Sequence, residues 1–154
     1  MRIADTLHAL VPAVVVPAVL ALAGCQTMSS AWDSTKSFFT GSSVALSGDE
    51  QVPPVKTSAS GGGTITVKDD KTVSGSVTTT GVAGTAAHIH MAPRGQSGKI
   101  VIPLTKGSDG NTWSVPAGAK LSDAQYEAYK AGNLYVNVHS AANKGGEIRG
   151  QLKP

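Results

Sequence analysis

The chain has 154 residues, 13 Lys/Arg against 10 Asp/Glu for a formal charge of +3, and only 5% aromatic residues beside 18 glycines. So small a positive surplus, with no Lys/Arg run to concentrate it, leaves no footprint for nucleic acid, and the length excludes a large multi-substrate enzyme. Scarce aromatics with plentiful Gly, Ser, Thr and Val oppose a helical bundle and point to a glycine-punctuated β domain, and no phosphate loop, dinucleotide fingerprint or zinc-finger cysteine pattern is present.

Residues 1–24 read as a removable export segment. Arg2 opens a weakly positive start, and the 15 residues from Ala9 to Ala23 are apolar apart from Pro12 and Pro17. That run falls short of the roughly 20 residues a spanning helix needs, and its two prolines oppose a stable one. A secretory h-region fits. It ends in Leu22-Ala23-Gly24-Cys25, which resembles the bacterial lipobox, whose Cys is diacylated and becomes the new N-terminus. The resemblance implies lipidation at Cys25. Gln26, in place of an Asp that would retain the protein at the inner membrane, implies an outer-membrane anchor facing the periplasm. Cys25 is the only cysteine, so the domain beyond it has no thiol for an internal disulfide, although such a compartment would allow one. Residues 25–43, Ser/Thr-rich and aperiodic, are expected to be the lipidated N-terminus and a flexible tether, with Trp32, Phe38 and Phe39 making simple hydrophobic contacts.

Residues 44–152 form the expected domain. Short β-prone runs alternate there with Gly, Pro and Asp turn signals. Strands are predicted at Val44–Ser47, Gly63–Lys68, Thr72–Thr79, Ala86–Met91, Lys99–Leu104, Thr112–Val115, Leu134–His139 and Glu147–Leu152, with a hairpin turn at Asp69-Asp70-Lys71. Ser122-Asp123-Ala124-Gln125 is a capping-box signature that opens one short helix, Tyr126 and Tyr129 share a face of it, and Gly132 supplies the stop. The expected fold class is all-β, a Greek-key β-sandwich or flattened barrel with this one helix covering it. Gly61-Gly62-Gly63 and Gly145-Gly146 mark permissive backbone.

Four histidines occur, and His8 leaves with the export segment. In Ala87-His88-Ile89-His90, strand alternation sends His88 and His90 to one face, with Cα atoms about 6.5–7 Å apart, and Ile89 to the other. In Leu134–His139 the apolar face is Leu134, Val136 and Val138, and Tyr135, Asn137 and His139 share the polar one. Three imidazoles on polar faces are candidate ligands for one ion at about 2.0–2.1 Å per nitrogen, provided that the fold brings those faces together. Met91 has the parity of Ile89 and points away from the pair.

The segments Ala87-His88-Ile89-His90, Tyr135-Val136-Asn137-Val138-His139-Ser140 and Gly145-Gly146-Glu147-Ile148-Arg149-Gly150-Gln151-Leu152, with the opening Leu46-Ser47-Gly48-Asp49-Glu50-Gln51-Val52-Pro53-Pro54, resemble a chordin-type (CHRD) domain. The resemblance covers about Val44–Leu152 and implies a β-sandwich module; the family's biochemical role is poorly defined. A more distant likeness, carried by His-x-His and a late Val-His before a Gly-Gly loop, is to copper/zinc superoxide dismutase. It implies copper ligation by His88, His90 and His139. No histidine lies between His90 and His139, so that family's bridging ligand and most of its zinc site are absent, and with them an evident proton relay. The reading is therefore a lipid-anchored periplasmic module that binds, handles or stores copper, zinc being also allowed. Asn137 and Glu147 are candidates to orient an imidazole. Arg149 is read mainly as a surface charge, with anion attraction as a second role. The alternatives are a dismutase-like redox enzyme at the same atoms and a metal-free structural or adhesion module that recruits a protein or envelope polymer. A hydrolase is disfavoured because no motif sets a nucleophilic Ser or Cys beside a base.

Overall fold

The computed structural model describes residues 41–154. The export segment, Cys25, Trp32, Phe38, Phe39 and the tether up to residue 40 lie outside the described residues. Nine strands form: β1 (Gly41–Ser47), β2 (Ser60–Val67), β3 (Val73–Thr80), β4 (Gly84–Met91), β5 (Lys99–Pro103), β6 (Thr105–Lys106), β7 (Thr112–Ser114), β8 (Leu134–Ser140) and β9 (Ile148–Gln151), with one helix, α1 (Asp123–Lys130), between β7 and β8. They pair antiparallel in one sheet ordered β5-β4-β8-β9-β1-β2-β3-β7-β6. The fold is all-β with one short helix, as the sequence predicts.

Closure of the sheet comes from a single run of chain. β5 pairs with β4 and β6 pairs with β7, yet only Leu104 separates β5 from β6. The expected strand Lys99–Leu104 is β5 as far as Pro103, and β6 is a further two-residue strand just beyond it that serves the opposite end of the sheet. Leu104 N–H donates to the Ala87 carbonyl (2.9 Å), and Lys106 Nζ donates to the Gly84 carbonyl (2.6 Å). Bringing the two ends together makes a nearly closed barrel and covers edges that would otherwise offer unpaired backbone groups.

Alternation places the core. In β1 Ser42, Val44 and Leu46 are buried while Gly41, Ser43 and Ala45 are exposed, the period-two pattern of a sheet with one buried face. Leu46, Ile65, Val77, Ile89, Trp113, Val136, Val138 and Ile148 fill the interior. The first strand starts at Gly41, inside the span expected to be tether. Gly41, Ser42 and Ser43 pair with Thr66, Ile65 and Thr64, and Ser42 Oγ accepts from Lys153 N–H (2.7 Å), so the ladder extends past the first apolar residue. The glycine run likewise belongs to β2. A Cβ at Gly63 would stand 2.7 Å from Val77 Cα, so a bare backbone is what lets β2 and β3 approach there.

Helix α1 begins as its motif requires. Ser122 Oγ accepts from Gln125 N–H (3.3 Å), and Gln125 Oε1 accepts from Ser122 N–H (2.8 Å), which satisfies two otherwise orphaned donors. Tyr129 is buried with the core cluster and Tyr126 packs partly against it. No helix among the described residues is long and apolar enough to cross a membrane.

Candidate metal centre

The two histidine-bearing strands are direct neighbours. In the β4–β8 ladder His88 faces Asn137, His90 faces Tyr135, and Ala86 faces His139. Adjacent strands in register align their faces, so the polar faces of the two segments become one surface. Ile89 and Val136 point into the core with Val138, while His88, His90 and His139 stand together on the outside of the barrel. Met91 packs against the core, away from the cluster.

This outer surface is covered. Only His139 in β8 is less than fully buried, because connecting segments fold over it. From the β1–β2 connection Gln51 Nε2 donates to Asn137 Oδ1 (2.7 Å). From the β8–β9 connection the Gly145 carbonyl accepts from Asn137 Nδ2 (3.1 Å). The β4–β5 connection is held by Arg149, whose Nη1 donates to the Gln96 carbonyl (2.8 Å) and Nη2 to the Pro93 carbonyl (3.3 Å) and Gln151 Oε1 (3.1 Å).

Backbone carbonyls decide which ring nitrogens carry protons. His90 Nδ1 lies 3.0 Å from the Gly98 carbonyl, and His139 Nδ1 lies 2.9 Å from the Lys144 carbonyl. A carbonyl only accepts, so both Nδ1 atoms carry N–H and both Nε2 atoms of the neutral rings keep their lone pairs. His139 Nε2 then accepts from His88 Nδ1 at 3.1 Å. His88 Nδ1 and His139 Nε2 thus face each other, and with Nδ1 committed to Gly98 the nitrogen His90 has left to offer is Nε2. The donor atoms of the three rings all lie within 4.8 Å of each other, a grouping that could hold a metal ion. Three nitrogens sharing an ion at 2.0–2.1 Å stand about 3.3–3.6 Å apart, so modest ring rotations suffice.

The electrostatics fit the same use. His90 is 7% exposed, and its Nε2 is buried with no hydrogen-bond partner, as are Trp113 Nε1 and Tyr129 Oη elsewhere in the described residues. Such an atom carries the full cost of desolvation; only that of His90 belongs to a group of metal-ligating side chains. Burial, followed by the neighbouring imidazoles, holds His88 below the ordinary histidine range. Burial does the same for His90 against the opposing pull of the Gly98 carbonyl, with His139 and Arg149 assisting. Both are thereby kept in the neutral form that a metal requires.

Three expectations change. Arg149 is not a surface charge: it is 1% exposed, its guanidinium carbon lies 3.5 Å above the Tyr135 ring, and its bonds to carbonyl and amide oxygens leave it committed to the protein and not to a free anion. Asn137 bonds Gln51 and Gly145, and Glu147 accepts from Thr57 Oγ1 (2.8 Å). Neither of them orients an imidazole. The Gly98 and Lys144 carbonyls do, and Tyr135 stacks on His90 with centroids 5.0 Å apart and planes 13° apart. Tyr135 had a legible signal, since it shares the face of His139. The carbonyls had none, because any residue supplies one.

The family model of the CHRD domain matches residues 42–152. No curated protein and no solved structure matches the chain.

Proposed function

The chain belongs to the CHRD-domain family, and from that premise we propose that this member is a lipid-anchored periplasmic protein that binds copper through His88 Nδ1, His90 Nε2 and His139 Nε2. The observation that carries the reading is the convergence of one ligand atom from each of the three histidines, together with a buried His90 Nε2 that has no hydrogen-bond partner. The set contains neither carboxylate nor thiolate. Neutral imidazoles favour late first-row divalent ions, copper most strongly, and a three-nitrogen set also suits copper in its reduced state. An ion would take the place of the proton that His88 Nδ1 shares with His139 Nε2, leaving His88 in its other neutral tautomer. The chain's own part is to hold two lone pairs and one exchangeable N–H together and to keep two rings neutral. Lipidation at Cys25 would keep this cargo at the envelope, in the outer membrane facing the periplasm.

The test is metal content by mass spectrometry after periplasmic expression with copper and zinc available. One copper per chain, lost in His88→Ala/His90→Ala and in His139→Ala, supports the reading. Stoichiometric zinc keeps the site and overturns the metal. No metal even after reconstitution leaves a structural or adhesion module. Cys25→Ser should move the protein from the membrane to the soluble fraction. A second reading, dismutase-like redox turnover, is favoured by one feature: His88 and His139 are only partly buried, which leaves one side of the cluster open to a small reactant. Superoxide turnover well above free-copper controls and lost in His139→Ala would select it.

A further inference from the structure

We propose that Tyr135 is the positioning residue for His90: its hydroxyl and ring, acting with the Gly98 peptide, hold that imidazole as the Nδ1–H tautomer with Nε2 aimed into the histidine cluster, and Arg149 pins the loop that carries Gly98. This deepens the metal-binding reading and rests on it for its purpose, but not for its geometry.

Tyr135 reaches His90 by two routes. They are cross-strand partners in the β4–β8 ladder, which lays the rings nearly parallel with centroids 5.0 Å apart. The second route runs through one peptide on each side of Gly98: its N–H donates to Tyr135 Oη (3.0 Å), and its carbonyl accepts from His90 Nδ1 (3.0 Å). A residue that merely filled space would need only the first route. The hydroxyl fixes the position of the acceptor that in turn fixes the tautomer. The loop admits no ordinary side chain at that point, since a Cβ on Gly98 would run into the Met91 carbonyl and stand 2.9 Å from Ala92 Cβ.

Arg149 and Gln151 hold the rest of the loop. Arg149 comes from β9, on the other side of β8 from His90, and lies over the Tyr135 ring while donating to Gln96 and Pro93. Gln151 Nε2 donates to the Ala92 carbonyl (3.0 Å). The arginine makes its hydrogen bonds to carbonyl and amide oxygens and none to a carboxylate. That is a costly way to bury a charge for packing alone, and the segment it restrains ends at Gly98. Left to itself, His90 would relieve its unpartnered nitrogen by turning or by moving its proton; the Tyr135–Gly98 relay closes both routes.

The experiment records the imidazole nitrogens by long-range proton–nitrogen NMR on the metal-free full chain at a pH where the rings are neutral, then Cu(II) binding and electron paramagnetic resonance on the same samples. Wild type should show a single Nδ1–H form at His90. Tyr135→Phe keeps the ring and removes the acceptor, so His90 should populate both tautomers, copper affinity should fall about 10- to 100-fold, and the Cu(II) signal should change. Val77→Ala, a core truncation on β3, should lower stability and change neither spectrum. Arg149→Lys loosens the loop without touching His90 and should move the tautomer in the same direction, which keeps the test decisive if Tyr135→Phe fails to fold. An unchanged tautomer and an unchanged copper signal in a folded variant would overturn the relay. A shifted tautomer in a protein that binds no copper even as wild type would uphold the relay and overturn the copper reading.

Discussion

On the inward face of the β4–β8 pair, Ala87, Ile89, Val136 and Val138 join the apolar core, whereas one residue along, on the outward face, His88, His90, Tyr135, Asn137 and His139 are buried or half-buried beneath loops. Both faces are largely shielded from water, but by different physics. The inward face gains free energy by removing hydrocarbon from water, an effect that is non-directional and tolerant of which apolar group supplies it. The outward face must return a hydrogen bond for each one lost to water. It does so through Gln51, Gly98, Lys144 and Gly145. His90 Nε2 is left over. The difference teaches that a closed barrel can carry its site on the outside of its wall, where loops and not the core define geometry.

The largest effect expected from breaking this comparison is on metal binding. Removing one imidazole leaves two nitrogens, so His90→Ala or His139→Ala should abolish stoichiometric metal at micromolar protein. The domain should stay folded, because these rings lie outside the core. Circular dichroism beside metal analysis checks both halves, and loss of the fold in every histidine variant would show that the outward face is structural. The converse variant is Ile89→Ala, between the two histidines in sequence but opposite in direction. It should cost about 2–5 kcal/mol in denaturant unfolding while retaining metal stoichiometry under native conditions. Metal loss in folded Ile89→Ala would mean that the two faces are coupled.

A smaller effect sharpens the comparison by pH. His88 and His90 are held below the ordinary imidazole range, so at these two rings protons compete with a metal only on the acid side of that range. The share of the proton competition that comes from His88 and His90 should therefore appear only on the acid side of the ordinary histidine range, where apparent affinity falls by up to about tenfold per pH unit for each of these two rings that must be deprotonated. A chelator-competition titration measures it. A steep fall already between pH 8 and 7, retained in His139→Ala, would mean that burial does not hold His88 and His90 neutral.

How much of this was legible follows from the same division. Parity in Ala87–His90 and Leu134–His139 assigns every inward and outward side chain correctly, because alternation is a local property of extended chain. The capping box at Ser122 is legible for the same reason. That β4 and β8 are neighbours is a long-range fact which parity does not contain, so the meeting of the polar faces had to come from the fold. Arg149 misleads because a lone arginine on a strand near the chain's end is ordinarily solvated; its burial depends on a loop that begins more than fifty residues earlier. Asn137 and Glu147 mislead through chemical type. They look suited to orienting an imidazole, but the fold gives that task to the peptide carbonyls of Gly98 and Lys144.

The smallest effect tests whether the site is independent of the rest of the barrel. Ser122→Ala removes the hydroxyl that accepts from Gln125 N–H and should destabilise α1 by about 1 kcal/mol, within a range of roughly 0.5–2. The reciprocal bond from Gln125 to the Ser122 N–H does not need the hydroxyl, so the helix should shorten or fray at its first turn and not detach. Tyr129, in the last turn, would keep its place in the core. Helix α1 has no residue in the histidine cluster or in the Tyr135–Gly98 relay, so metal affinity should match wild type within error. Thermal unfolding and copper titration on the same preparation decide the matter. A lower melting temperature with unchanged affinity means that stability and site are separable in this fold. A change in affinity would mean that the packing of α1 reaches the outward face through the interior of the barrel, against the division of labour between the two faces of β8.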